Sequence, residues 1–342
     1  MNQTGLDFKI AVVGAGAIGG ICAGFIKKAG LNVQVVVRRE EHARKIINQG
    51  IHITGIKGEF TEKMDAVIGV ENMDPDPDLV LLGVKATALA DVTEKLSSRL
   101  SPSGMVVSLQ NGFCEQVLAD VLGRDRVIGC VTGWGATLHS DCDLEMTSTG
   151  DFIVGNIDGK KDPRLEKVQT ILNRVLPCQI SNNIGGSLYS KLIINSCITS
   201  VGAVCGLYLG QMLAKKKVRL VFLRIMEEAM AVAIAMDIKV EIFAGKLNYY
   251  TFLEESGMIS ALKRHLFLRV LGFKYRRLKS SMLQSLERKQ ATEIDYLTGF
   301  ITGNGRKHQV LTPVNDQIFE MVREIEQGQR AISPDNLDQI RI

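Results

Sequence analysis

The sequence predicts an α/β protein in two parts, a doubly wound, mainly parallel sheet followed by an all-helical C-terminal domain. Three observations carry this. From Lys9 to about Asn182, short apolar runs rich in β-branched residues alternate with segments of helical period, the pattern of a parallel sheet covered by helices. A glycine cluster follows the first of those runs directly. After "SNNIGG", Ser181–Gly186, the β-rich runs stop and long helical patterns take over, which separates a domain 1–183 from a domain 184–342.

Taken in order, the strand candidates are Ile10–Val13, Val33–Val37, Leu79–Val84, Met105–Leu109, Val127–Val131 and Phe152–Val154. "MDPDPD" ahead of the Leu79 run reads as a turn, because Pro75 and Pro77 fit neither a central strand nor a helix interior. Beyond the boundary, helical period marks Ser187–Val204, Gly210–Met236, Ser280–Ile301 and Pro313–Gln327.

At about 150 residues per domain, 342 residues are enough for two separate cores. With 46% hydrophobic and 23% charged residues the chain is an ordinary globular one, neither disordered nor fibrous. Lys plus Arg exceed Asp plus Glu by 41 to 37, and a net charge of +4 is too small to imply nucleic acid without a local patch. The seven cysteines form an odd set with no CxxC pair, so neither a disulfide framework nor a metal site is expected, and a reducing cytoplasm fits. The start carries Asp7 and Lys9 and enters a strand at once, which is not the pattern of a signal peptide. The longest apolar stretch, Leu220–Met236, is interrupted by Arg224, Glu227 and Glu228, so no membrane span is expected there.

"GAGAIG" matches GxGxxG after a strand and at the opening of a helix, the context in which the motif has meaning. In that reading Gly14 allows a tight turn, Gly16 lets a pyrophosphate approach the backbone, and Gly19 permits close helix packing, with Ala15, Ala17 and Ile18 between them. The helix N-terminus adds unpaired N–H groups and positive potential. This is the signature of a Rossmann dinucleotide site. An NAD protein places an acid at the end of the second strand, whereas Val37 is followed by Arg38 and Arg39. An arginine there grips a 2′-phosphate, so NADP(H) is the expected cofactor, although Glu40 and Glu41 come close behind and a solvated basic corner is the bland reading.

Ligands of such sheets lie outside the carboxyl ends of the strands, which singles out Lys85 after "LVLLGV" and Asn111 after "MVVSLQ". Either could be an ordinary strand-end residue. In the helical part, Lys191, Asn195 and Thr199 follow one another at i, i+4 and i+8 along a segment that is otherwise apolar almost all round. An ammonium in low dielectric lowers its pKa, which suits a general acid that protonates a carbonyl oxygen as hydride reaches the carbon. The alternative is a lysine snorkelling at the helix edge. Glu293 falls among apolar neighbours on the expected helix Ser280–Ile301, with Ser281 three turns earlier, and the plain alternative is a surface Glu and a helix-capping Ser.

With these pieces in place, "GAGAIG", "VKA" at Lys85, "QNG" at Asn111, "KLIINS" at Lys191 and "SSMLQSLERKQATEIDYLTGF", the chain resembles the ketopantoate reductase (2-dehydropantoate 2-reductase) family. The resemblance covers most of the chain in family order. It implies NADPH-dependent reduction of ketopantoate to pantoate in pantothenate and coenzyme A biosynthesis. It also implies roles: Lys191 as the general acid, Asn111 and Asn195 positioning substrate and cofactor, Thr199 on the substrate side, Ser281 holding the substrate carboxylate, Glu293 as a second catalytic residue that binds the substrate hydroxyl and contacts the cofactor, and Lys85 beside the cofactor. The chain departs from the family pattern at Thr199 and Leu278, where asparagines are expected, and between Val240 and Ser280, where it is longer. These departures lie on the substrate side, so another branched 2-keto acid is the alternative substrate. A non-catalytic NADP-binding regulator is the rival from a different class.

The longer segment holds "LKRHLFLRVLGFKYRRLKSS", a basic amphipathic pattern from Lys263 to Lys279 without an acid. A solvated helix face or a lid over an anionic ligand is the expected use, ahead of membrane association. The expected partner is thus a small 2-keto acid, with neither nucleic acid nor membrane, and the apolar helices of the second domain form its core or a homodimer face.

Overall fold

The computed structural model describes residues 8–254 and 257–342. Residues 1–7, on which the expectation of no signal peptide partly rests, lie outside the described residues. The chain forms two compact units, one ending at Ile184 and the other running from Gly185 to Ile342, with Asn111–Phe113 grouped in the second.

The main sheet of the first unit runs Cys178–Ile180, Phe152–Asn156, Val127–Thr132, Met105–Ser108, Leu79–Leu82, Ile10–Val13, Val33–Val37, Asp65–Ile68. Ile10–Val13 sits between Val33–Val37 and Leu79–Leu82, parallel to both, so the chain winds outward in two directions from this strand. That reversal is the topological switch point where doubly wound sheets bind ligands. Ile10–Val13 and Leu79–Leu82 are buried throughout, as their unbroken apolar runs require of strands covered on both faces. Phe152–Asn156 is the exception to parallel pairing, running antiparallel to Val127–Thr132.

The sequence reading missed six strands, four of which form a second sheet in the order Phe60–Glu62, Ile51–Gly55, Asp143–Ser148, Gly135–Ser140. These strands are short and half-exposed, with polar residues such as Thr54, Glu145 and Thr137 on the open face, so no apolar run announces them. The missed strands Asp65–Ile68 and Cys178–Ile180 are the two edges of the main sheet. The second sheet packs on the helix Ala17–Lys28, where Gly20 and Gly24 leave a groove. A Cβ at either would overlap Leu144 or Ile53, respectively. The glycine cluster therefore serves packing beyond its turn.

The helix through Lys191 extends from Ile184, the last residue of the first unit, through the second unit to Cys205 and is the one helix among the described residues long and apolar enough to cross a membrane. Most of its apolar window, 78%, is buried inside the protein, as in a core helix. Two expected helices are divided. Gly210–Met236 becomes Leu209–Ala214 and Lys216–Ala235, because Lys215 is extended, and the Arg219 guanidinium takes the freed carbonyls of Leu213 (2.7 Å) and Ala214 (2.8 Å). Ser280–Ile301 becomes the helix Ser281–Glu287, a 3-10 turn Ile294–Tyr296 and the helix Thr298–Lys307. There Lys289 adopts φ +53°, and the Lys289 and Gln290 N–H groups close on the carbonyls of Leu286 and Ser285. This is a left-handed helix end made without the usual glycine, and so without a sequence signal. Pro313–Glu326 follows as expected.

Candidate active site

On the first unit the glycine turn has the geometry its spacing demands. Gly14 has φ +98°, and a Cβ there would fall 2.8 Å from the Val84 N. A Cβ on Gly19 would overlap the Gly14 carbonyl oxygen. At Gly16, by contrast, the nearest atom to a Cβ would be the Gly83 oxygen at 4.0 Å, so the space in front of that residue is open. Gly16 is also the N-cap of Ala17–Lys28, and no side chain caps the helix. A loop with uncapped N–H groups and an open approach fits a pyrophosphate. Lys85, exposed, follows Val84, whose backbone abuts Gly14.

Arg38 and Arg39 separate in the structure. Arg39 pairs with Asp141 at 2.5 Å, whereas Arg38 is exposed and makes no ion pair among the described residues. Glu40 and Glu41 lie along the helix Glu40–Asn48 and pair with Arg44 (2.7 Å) and Lys45 (2.9 Å). The two carboxylates that follow Arg38 are thereby committed elsewhere, and its guanidinium is available to an anion.

The remaining sequence-derived site residues all lie on the second unit. Lys191, Asn195 and Thr199 are partly buried on one helix, but the α-helical spacing does not hold to its end, because Ser196–Ser200 forms a π turn. Thr199 Oγ1 donates to the Asn195 carbonyl at 2.7 Å. A widened turn of this kind changes the angle between the two side chains and recurs at functional sites. Nothing in the periodicity announced it.

Three elements meet through an aromatic cluster. Phe113, two residues after Asn111, stacks on Phe300 with centroids 4.6 Å apart, and Tyr189, two residues before Lys191, meets both rings edge-on at 6.3 and 6.4 Å. Phe113 N–H donates to the Tyr296 carbonyl at 3.2 Å, and Tyr296 N–H donates to that of Glu293 at 3.1 Å. The segments carrying Asn111, Lys191 and Glu293 are thus brought together. Gly112, at φ +92°, permits this approach, since a Cβ there would overlap the Tyr296 carbonyl.

Glu293 does not lie on a helix face, as expected from the sequence, but caps the turn Ile294–Tyr296 and is partly buried. Its neighbours are anchored to the helix Pro313–Glu326: Thr292 N–H donates to Glu326 (2.7 Å), and Arg323 holds Asp295 (2.7 Å) and Glu326 (3.1 Å). Ser281 is the exposed first residue of its helix, not the cap. The cap is Ser280, whose hydroxyl accepts from Leu283 N–H (3.0 Å) and donates to the Thr199 carbonyl (2.7 Å), joining the Ser281 helix to the π turn. On the same turn the Ser200 and Thr298 hydroxyls meet at 2.8 Å. Phe113, Tyr189, Ser280, Thr298 and Arg323 carry this architecture, and sequence reasoning missed them. Tyr189 sat two residues from Lys191 as an aromatic in an already apolar helix, so it carried no separate signal.

The family model for ketopantoate reductase PanE/ApbA matches residues 10–159, and the model for its C-terminal domain matches residues 183–326. The chain belongs to the ketopantoate reductase family. Membership makes it an oxidoreductase acting on CH–OH groups, in a family that uses NADPH.

Similar ketopantoate reductases span almost its whole length. The 2-dehydropantoate 2-reductase of Pyrococcus abyssi is 27% identical over 316 residues, covering 92% of this chain and 97% of that protein. The enzyme of that name from Archaeoglobus fulgidus is 24% identical over 322 residues, covering 94% and 98%. A PanE/ApbA family ketopantoate reductase of known structure from Ralstonia eutropha superimposes with a TM-score of 0.79 at 26% identity, over 94% of this chain and all of that one. D-Mandelate dehydrogenase, solved with NADH and anilino(oxo)acetate, shares the fold at a TM-score of 0.80 and 21% identity, over 94% of this chain and 100% of that one.

Proposed function

We propose that this protein is an NADPH-dependent 2-keto acid reductase that converts ketopantoate to pantoate in the cytoplasm, as a step of pantothenate and coenzyme A biosynthesis. The observation that carries the reading is the Phe113–Tyr189–Phe300 cluster, which with the Phe113–Tyr296 hydrogen bond gathers the segments bearing Asn111, Lys191 and Glu293 within the second unit. A regulator that only sensed the dinucleotide would have no use for such a set.

In this reading the turn Gly14–Gly19, including Ala15, Ala17 and Ile18, holds the pyrophosphate on the N-terminus of Ala17–Lys28. Arg38 grips the 2′-phosphate through paired charged hydrogen bonds, and Lys85 lies beside the cofactor. Bound NADPH supplies the hydride to the ketone carbon. The Lys191 ammonium gives its proton to the ketone oxygen, so that C=O becomes CH–OH and the lysine is left neutral to be reprotonated by water. Asn111 and Asn195 orient substrate and cofactor as amide donors and acceptors. Ser281 binds the substrate carboxylate, Thr199 lines the substrate side, and Glu293 accepts from the substrate hydroxyl, which fixes the ketone relative to Lys191.

Thr199, in place of an amide, supports a second reading, in which the substrate is a branched 2-keto acid other than ketopantoate. One assay separates all three readings. Purified protein with NADPH and a panel of 2-keto acids is followed at the nicotinamide absorbance band. The proposal expects the largest kcat/KM with ketopantoate; a larger value with another acid selects the second reading, and NADPH binding without turnover of any of them selects the regulator.

A further inference from the structure

The helix Met258–Lys274 is held to the second unit along one side only. Leu268 is fully buried, and Gly272 lies so close to the helix Leu209–Ala214 that a Cβ would fall 2.7 Å from that of Leu213. Arg219 ties the same two helices together through His265 Nδ1 at 3.3 Å and the Leu213 and Ala214 carbonyls. The opposite side presents Met258, Ile259, Leu262, Leu266, Val270 and Phe273, each between 59% and 88% exposed. At 3.6 residues per turn the six fall within about one third of the helix circumference, forming a continuous apolar row. A globular surface scatters such residues singly; a row of this kind marks a docking face.

The flanks of the row are cationic. By the same geometry Lys263 and Lys274 follow one edge and Arg269 lies within the row near its other side, with Arg276 and Arg277 just beyond the C-terminal end. All five are exposed and make no ion pair among the described residues. Arg269, Arg276 and Arg277 also line a groove of about 560 Å³ with Tyr208 and Phe273, and the Arg276 guanidinium lies 5.4 Å from the Phe273 ring. The groove and the apolar row therefore share Phe273 and form one surface.

The charge pattern decides what covers it. A two-fold contact would set the same patch on both copies, and residues 257–286 contain no acid, so cations would face cations across an apolar seam. An anionic lipid surface complements both parts, taking the apolar side chains into the boundary between headgroups and acyl chains and the guanidinium groups among the phosphates. We propose that the Met258–Lys274 helix docks this protein on an anionic membrane surface, with a lipid phosphate in the arginine groove. This proposal departs from the sequence-based expectation of no membrane contact. The inference does not depend on the substrate assigned above.

Flotation with phosphatidylcholine vesicles, with and without phosphatidylglycerol, tests it on the full chain. The protein is expected to float with the anionic vesicles at low ionic strength and to be released by salt. R276E/R277E should lower partitioning about tenfold or more, and L266D/V270D should abolish it, while both variants keep the wild-type far-ultraviolet circular dichroism. Wild-type protein that fails to float with anionic vesicles overturns the proposal. So does a wild-type dimer that L266D/V270D converts to monomer with no vesicle binding by either, since a second copy then covers the face.

Discussion

At the level of single residues, the proposed function makes Arg38 the group that selects the cofactor. Its neighbour Arg39 is spent on Asp141, and the two glutamates after it are spent on Arg44 and Lys45, which leaves one guanidinium at the end of Val33–Val37. Charged hydrogen bonds of this kind are worth about 1.5–3 kcal/mol, a factor of roughly ten to a hundred. Arg38→Ala should therefore raise KM for NADPH by about that factor in steady-state kinetics while leaving KM for NADH nearly unchanged. An equal loss for both cofactors would place the 2′-phosphate elsewhere. Lys191, Asn111 and Glu293 are singled out by the sequence because each stands out against its surroundings, an ammonium in an apolar run, an amide past a strand or a carboxylate among apolar residues, whereas the role proposed for Ser281 comes only through the family resemblance. Their supports are not singled out, because Phe113, Tyr189 and Phe300 differ in no visible way from core aromatics, and Ser280 from its neighbour.

At the scale of elements, Glu228 shows what a composition pattern conceals. In the sequence it merely interrupts an apolar stretch. In the structure it reaches from Lys216–Ala235 to the start of Pro313–Glu326, accepting from the N–H groups of Val314 and Asn315, both at 2.9 Å, and from Asn315 Nδ2 at 2.8 Å. Burial pushes its carboxyl above the usual range, against those donors. Glu228→Ala strands the buried donors and should cost about 2–3 kcal/mol in chemical denaturation, whereas Glu228→Gln retains an acceptor and should cost about 1 kcal/mol or less.

The second sheet holds another such tie. His52 meets Glu59 at 3.0 Å and Asp143 at 3.1 Å, and the hydrogen bond to Glu59, then that to Asp143, raises its pKa above 6.5. Because the folded-state value is the higher one, the contribution to stability is full below about pH 6.5 and fades as pH rises through the raised value. The Tm gap between wild type and His52→Gln should accordingly be wider in acid than above neutrality. The helix Ser281–Glu287 and the turn at Glu293 mark the limit of the sequence at this scale, since Lys289 supplies a left-handed backbone that glycine normally signals.

For the whole molecule, periodicity was enough to separate a doubly wound sheet from a helical unit, because buried parallel strands are apolar throughout and core helices are nearly so. It failed for the half-exposed strands of the second sheet and for the segment Asn111–Phe113, which follows a strand of the first unit and yet groups with the second. The central claim is that the helical unit performs the proton transfer, with Lys191 as donor. It is tested most directly by NADPH oxidation with ketopantoate, comparing wild type with Lys191→Ala, alongside NADPH binding by fluorescence. The account predicts a fall in kcat of about 10²–10⁴-fold with NADPH affinity retained. Turnover by Lys191→Ala at the wild-type rate would contradict it.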